Sequence, residues 1–307
     1  MYDLIIVGGG PGGAAAAVYA ARKRLKTLFI TAEWGGQSTV STDIQNWIGT
    51  PSISGADLAK SLKAHVEAYG QEVVTALAPQ TVTSATASDD KVTVTTSDGK
   101  TYEGATLLVT TGSTRCKLGV PGADTFEHKG LTYCASCDGP LFSGQDVVVV
   151  GGGNAGFETA AQLLAYVKSV TLLDRNDAFR ADEVTVQKVL SKPNMQALHF
   201  CEIVEVVGEK FVTGIKWKHQ QTGEITLVPC TGIFVDVGLI PSTDWVKDAV
   251  TLNDRKQVII DPRTQKTSHP RIWAAGDCTD VLYHQNNIAA GDAVRALEDI
   301  YLFIHAS

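Results

Sequence analysis

Two glycine-rich loops, each entered from an apolar run, restrict this chain to a narrow set of folds. Residues 3–7 (DLIIV) are apolar almost throughout, as a strand covered on both faces must be, and Gly8-x-Gly10-x-x-Gly13 follows at once. The alanine-rich residues 14–24 read as a helix, residues 26–31 (KTLFIT) as a second strand, and Glu33 lies 25 residues past Gly8. Strand, glycine loop, small-residue helix and strand make the βαβ unit that receives a dinucleotide. Its glycines let the backbone approach a pyrophosphate, and the helix N-terminus faces that negative charge. Residues 146–150 (DVVVV), Gly151-x-Gly153-x-x-Gly156, a helix over 157–167 and a strand over 169–173 repeat the unit 143 residues later. The duplication predicts an α/β protein with two Rossmann-like domains of three-layer ββα form.

The order of the other elements predicts that one domain interrupts the other. Residues 56–69 have helical spacing, residues 80–103 alternate with Asp98-Gly99 as a hairpin turn, and residues 106–110 form a buried strand ending at Thr111-Gly112-Ser113. Beyond Val184 the pattern alternates again. Residues 211–217 and 224–228 form hairpin strands joined at Thr222-Gly223, and residues 232–237 (GIFVDV) a buried strand. Residues 271–278 (RIWAAGDC) form a strand ending in Gly276-Asp277, and a long helix runs from 284 to 304. The expected division is residues 1–114 with 245–307 as one domain and 115–244 as the inserted second. A length of 307 residues suits two domains that each bury a core.

Between the loops stands Tyr133-Cys134-Ala135-Ser136-Cys137-Asp138-Gly139-Pro140. Two cysteines three apart cycle between dithiol and disulfide, with neighbouring groups tuning the thiolate. Cys116, Cys201, Cys230 and Cys278 are scattered singles, which fits a reducing, cytoplasmic setting better than a secreted disulfide framework. No second short-spaced pair completes a metal site. A net charge of −7 argues against nucleic acid or an anionic membrane as partner, and no apolar run reaches membrane-spanning length.

Asp174 closes the second strand of the second unit, 23 residues after Gly151. An acid there hydrogen-bonds a ribose 2′-hydroxyl and repels a 2′-phosphate, although Arg175 and Arg180 are close in sequence; the alternative is a cap for the next turn. The basic run at residues 22–26 (RKRLK) reads as a helix C-terminus or as a docking patch for an acidic partner. Residues 301–304 (YLFI) read as packing in the core or a dimer, or as a tail over a cofactor. The turn-rich segments at Trp34 and at residues 45–49 are candidates to wrap a cofactor ring.

Taken in order, these motifs resemble the bacterial-type, low-molecular-weight thioredoxin reductases over nearly the whole chain. The resemblance implies FAD in the first domain, held by Gly8, Gly10, Pro11, Gly13, Thr31, Glu33, Gly36, Gln37, Asn46, Thr111, Gly112, Gly276, Asp277, Gln285 and Asn286. The second domain is expected to hold a vestigial or NAD-type nucleotide site at Gly151, Gly153, Gly156, Glu158, Asp174, Arg175 and Arg180, of which Glu158 matches the acid that the resembling family places beside the nicotinamide. Cys137 is implied as the thiolate facing the flavin, Cys134 as the sulfur that exchanges with thioredoxin or a thioredoxin-like protein, and Asp138 as the proton carrier. A homodimer with mutually rotating domains is implied as well. With the first strand starting at residue 2, the sequence reading sets aside peroxiredoxin-linked flavoenzymes carrying an extra N-terminal module.

The departure from the family lies at the nucleotide. The family has His-Arg-Arg and a further Arg where this chain has Asp174-Arg175-Asn176 and Arg180, and His284 replaces an Arg beside Gln285. NADPH use is therefore in question. Ferredoxin or another donor heads the reading, with NADH, residual NADPH use, and a dithiol oxidase passing electrons to oxygen as alternatives. A plant-type ferredoxin lies roughly 130 mV below thioredoxin, about 6 kcal/mol downhill for two electrons.

Overall fold

The computed structural model describes residues 1–41 and 43–306. The chain forms two compact units, Met1–Thr114 with Ile240–Ser307, and Arg115–Leu239. The first opens with β1 (Tyr2–Val7), α1 (Pro11–Arg22), β2 (Thr27–Ile30), α2 (Gly55–Gly70), β3 (Val74–Leu77), β4 (Val82–Ala87), β5 (Val92–Thr96) and β6 (Thr101–Val109), and β7 (Ser113–Arg115) leads out of it. The second runs through α3 (Ala123–Phe126), β8 (Leu131–Thr132), α4 (Ala135–Asp138), β9 (Asp146–Val150), α5 (Asn154–Leu163), β10 (Ser169–Leu173), α6 (Glu183–Leu190) and β11 (Met195–Leu198). It continues with β12 (Cys201–Gly208), β13 (Val212–His219), β14 (Ile225–Pro229) and β15 (Gly232–Val235). β16 (Leu239–Pro241) leads back to β17 (Ile272–Ala274) and α7 (Asn286–His305). Residues 240–244 go with the first unit because Thr111 donates to Ser242 O (2.7 Å) and Thr243 to Lys256 O (2.6 Å).

In the first unit the sheet runs β3-β2-β1-β6-β5-β4, with β17 also on β6. The β1, β2, β3, β6 and β17 pairings are parallel, and β4–β5–β6 form antiparallel hairpins. Leu4 and Ile6 face a core built with the alanines of α1 and with Ala293, Ala296 and Leu297 of α7. Ile5 and Val7 face a second core with Val92, Val94, Val246 and Val258. Both faces of β1 are therefore covered, which is why its sequence does not alternate. Small α1 residues such as Ala16, Ala17 and Ala20, all fully buried, let sheet, α1 and α7 approach closely. The second unit has a parallel sheet β11-β10-β9-β15-β8 and an antiparallel β12-β13-β14 layer.

One backbone arrangement recurs in both units. Gly8 has φ +121°, and a Cβ there would lie 2.2 Å from Thr110 O; one on Gly13 would lie 1.8 Å from Gly8 O. Strand, helix and neighbouring strand meet where no side chain fits. Gly151 (φ +126°) and Gly156 repeat this against Asp236 O (2.3 Å) and Gly151 O (1.9 Å).

The structure departs from the sequence reading in several places. α1 starts at Pro11 rather than residue 14, with Pro at the first turn, where its missing N–H costs nothing. Residues 183–190 are helical rather than alternating: Asp182 accepts the Thr185 N–H (3.0 Å) as N-cap. Trp34, half-buried, stacks on Phe29 at 4.9 Å and packs against the first core. The basic run lies at the surface: Lys23 pairs with Glu298 (3.0 Å) and Arg24 with Glu72 (2.8 Å), while Arg22 and Lys26 lie over Tyr69 and Tyr2 and stay exposed. Tyr301, Phe303 and Ile304 pack on the first core as the end of α7.

Gly13→Ala is expected to lower stability by about 1–3 kcal/mol through overpacking, whereas Gly10→Ala, with open space around its Cβ, leaves the urea midpoint within experimental error. Equal midpoints would show that α1 can slide away from Gly8.

Candidate functional site

A groove enclosing about 390 Å³ runs along the carboxyl ends of β1, β2 and β6. Gly8, Gly10, Pro11, Thr31, Glu33, Gly36, Gln37, Thr111, Gly112, Gly276, Asp277 and Asn286 all line it. Gly10 is the N-cap of α1 and brings no side-chain cap, so the first N–H groups of that helix stay available to an anion. Thr31 Oγ1 donates to Glu33 O, and Gln37 Nε2 donates to Ser113 O. Gly13 lies behind the loop, against Gly8. Asn46 and Gln285 meet each other: Asn46 Nδ2 donates to Gln285 Oε1 (3.2 Å), and Asn287 Nδ2 to Asn46 O (2.7 Å). Ser38 Oγ donates to Asn286 Oδ1 (3.0 Å), so Ser38 and Asn46 are both tied to the start of α7.

The sequence reading missed Gly9, Ser38, Gln80, Thr81, Ser242 and Trp245, which also line the groove. Gly9 was legible from the unbroken Gly8-Gly9-Gly10 run; a Cβ on it would meet Thr31 Oγ1 at 2.3 Å. Ser242 and Trp245 carry no local signal, since they enter from the far end of the chain.

In the second unit Gly153 is open around its Cβ position, as Gly10 is. Asp174 is only 3% exposed and lies so close to Gly152 that a Cβ there would sit 2.5 Å from Oδ2. Asp174 Oδ1 accepts from Asn176 Nδ2 (3.0 Å), while buried Oδ2 has no partner. Its carboxylate caps no backbone turn. Arg180 ties its backbone N–H to Gly152 O (2.9 Å). Arg175, Arg180 and Glu158 are exposed. Asp236, at the end of β15, was not singled out by the sequence. Burial pushes its carboxyl up to about 6, with Glu158 adding to the rise and Thr159 and Arg115 opposing it.

The cysteine pair is bonded, Cys134 to Cys137, with Cα atoms 5.3 Å apart. Cys134 takes the N-cap of α4, and its sulfur accepts the Cys137 N–H (3.2 Å). Asp138 N–H donates to Cys134 O (3.0 Å), Thr132 Oγ1 donates to Asp138 Oδ2, and Ser136 Oγ donates to Gln162 Oε1 (3.1 Å). By contrast, burial drives the thiols of Cys201, Cys230 and Cys278 up to about 12, so they are poor nucleophiles. Among the described residues no cluster could hold a metal ion, and no helix is long and apolar enough to cross a membrane.

Two nucleotide loops and a partly exposed dithiol define a disulfide-handling oxidoreductase, and comparison with known proteins places it. Residues 2–293 match the pyridine nucleotide-disulphide oxidoreductase family, and the chain belongs to that family. It is similar to a thioredoxin reductase from Streptococcus pyogenes, with 32% identity and TM-score 0.90, covering 100% of this chain and 99% of that one. A thioredoxin reductase from Giardia duodenalis gives 30% identity and TM-score 0.93 over 100% and 99%. A component of the alkyl hydroperoxide reductase of Staphylococcus aureus is 38% identical over 303 residues, 99% of this chain and 59% of that protein. The chain thus spans about three fifths of the length of the curated relatives it matches, and the position of its first strand does not separate it from them. Its family is one of flavin disulfide oxidoreductases that work with FAD and a pyridine nucleotide, and the chain shares the fold of that family's thioredoxin reductases.

The raised Asp236 carboxyl fixes a sign. An acid protonated more readily in the folded state adds stability below its unfolded value near 3.8 that is lost as pH rises towards 6. Asp236→Asn is expected to match wild type at pH 4 and exceed it at pH 7 by about 1–3 kcal/mol, read from urea midpoints at both pH values. A difference independent of pH would contradict this origin.

Proposed function

We propose that this chain reduces the disulfide of a thioredoxin-like protein through Cys134 and Cys137, with NADH as electron donor. The carrying observation for the first part is the partly exposed disulfide whose leading sulfur accepts an amide hydrogen bond and is followed by Asp138. Cys134 is the sulfur that exchanges with the partner, Cys137 the one that resolves the mixed disulfide, and Asp138 the acid–base group.

The first-unit groove suits FAD. Gly10 and the uncapped start of α1 offer backbone to a pyrophosphate, and Glu33, Gly36, Gln37, Thr111, Gly112, Asp277 and Asn286 line the rest. Bound there, FAD supplies a two-electron carrier between donor and dithiol. Asn46 and Gln285 brace the wall, and Gly13 sets the helix position.

Asp174 carries the donor assignment. Its carboxylate stands beside Gly152 of the glycine loop, the place from which an acid hydrogen-bonds the 2′-hydroxyl of an unphosphorylated adenosine ribose. A 2′-phosphate would meet that charge with Arg175 and Arg180 both pointed to solvent. Each charge-assisted hydrogen bond at stake is worth roughly 1.5–3 kcal/mol, so the preference for NADH over NADPH is expected to reach about a hundredfold. The ferredoxin reading rests on the altered cation motif at residues 174–176 and on a downhill potential, and the basic run at residues 22–26 is the docking patch it would need; the acid at Asp174 favours NADH over it.

Anaerobic flavin bleaching tests this. NADH is expected to bleach the holoenzyme at concentrations about a hundredfold below NADPH, with Asp174→Ser narrowing the gap. Equal potency, or bleaching by reduced ferredoxin alone, would overturn the donor. Cys134→Ser is expected to leave bleaching intact and abolish thioredoxin reduction; retained reduction would overturn the dithiol assignment.

A further inference from the structure

The reaction needs a carboxyl held at the dithiol, and the residue that holds it lies outside the Cys-x-x-Cys-Asp motif. We propose that Thr132 is a positioning residue that fixes Asp138 for proton delivery to the departing sulfur; this rests on the dithiol reading above.

Thr132 ends β8, is 5% exposed, and its backbone is registered against Phe234 of β15 in the parallel sheet. Its side chain is β-branched and stiff at χ1. The hydroxyl makes two contacts: it accepts the Cys134 N–H (3.3 Å) and donates to Asp138 Oδ2. A hydroxyl carries one hydrogen. With a lone pair turned to Cys134 N–H, that hydrogen is committed to Asp138. Oδ2 is thereby fixed as an acceptor, and Oδ1 is left as the oxygen that picks up and releases a proton. One buried side chain on a sheet edge thus ties the acid to the backbone of the attacking cysteine.

In the reduced pair, Cys134 as thiolate attacks one sulfur of the partner disulfide. The Cys134–partner S–S bond forms, the partner S–S bond breaks, and the first partner sulfur leaves as thiolate. Asp138 Oδ1 takes the proton of the Cys137 thiol as that sulfur becomes nucleophilic. Cys137 then attacks Cys134 sulfur, re-forming the Cys134–Cys137 bond and expelling the second partner sulfur, to which Asp138 passes its proton. The first partner sulfur takes up the proton that Cys134 gave to solvent. Two electrons and two protons pass from the enzyme dithiol to the partner.

The requirement for an acid grows with the basicity of the leaving sulfur. The holoenzyme, reduced anaerobically with dithiothreitol and freed of excess, would be mixed in single turnover with cystine, whose leaving thiol is near 8.5, and with 5,5′-dithiobis(2-nitrobenzoate), whose aromatic thiolate leaves without protonation. With release of the second thiol followed, the ratio of cystine rate to aromatic-disulfide rate in Thr132→Val is expected to fall about tenfold, a part of the roughly 10²–10⁴-fold that acid–base assistance contributes. Thr132→Ser, which keeps the hydroxyl, is expected to restore that ratio. An unchanged ratio in Thr132→Val, or a fall that serine does not restore, would overturn the proposal. A wild type that reduces neither disulfide would remove the dithiol reading itself, and this inference with it.

Discussion

The close approach of backbone at Gly8 is the constraint on which the first unit depends. β1 must end, α1 must begin and β6 must pass within van der Waals range of both, and any Cβ at Gly8 or Gly13 would overlap a carbonyl. The sharp turn places the uncapped start of α1 at the carboxyl ends of the strands, which is where the groove opens. The alanines of α1 extend the same requirement: larger side chains would hold α7 off α1 and carry Asn286 and Gln285 away from the segment they tie.

The second unit reuses this geometry and changes its chemistry with one side chain. Gly151 and Gly156 reproduce the crossing, against Asp236 instead of Thr110. The end of the following strand then presents Asp174, buried and half-satisfied, where the resembling family carries a histidine. A buried carboxylate is a strong discriminator because removing it from water raises the cost of leaving either oxygen unbonded. On the proposed donor assignment, selectivity between two nucleotides differing by one phosphate rests on a single position, with the surrounding fold unaltered.

The dithiol illustrates a division of labour between a mobile chemical task and a rigid support. The sulfurs sit on one turn of helix, too short to be stable alone. Thr132 on the sheet edge and Gln162 on α5 hold its two sides. The buried Cys201, Cys230 and Cys278 are silenced by their surroundings rather than by absence of sulfur chemistry, which leaves the exchangeable pair without competitors in the interior.

Sequence alone determined the α/β class, the duplication of the nucleotide unit, and the dithiol with its acid, because each is carried by residues adjacent in the chain whose spacing is set by local geometry. Gly8, Gly10, Asp277 and Cys134 were legible for that reason. Local signals failed where tertiary context overrode them: α6 emerged from a stretch that reads as alternating. Only the tertiary structure brought Ser242 and Trp245 to the groove, paired Asn46 with Gln285 across more than two hundred residues, and placed Thr132 on Asp138. It also decided that Asp174 is buried with an unmatched oxygen. Burial and partnership of this kind arise from contacts between distant segments, and the spacing of residues along a chain carries no record of them.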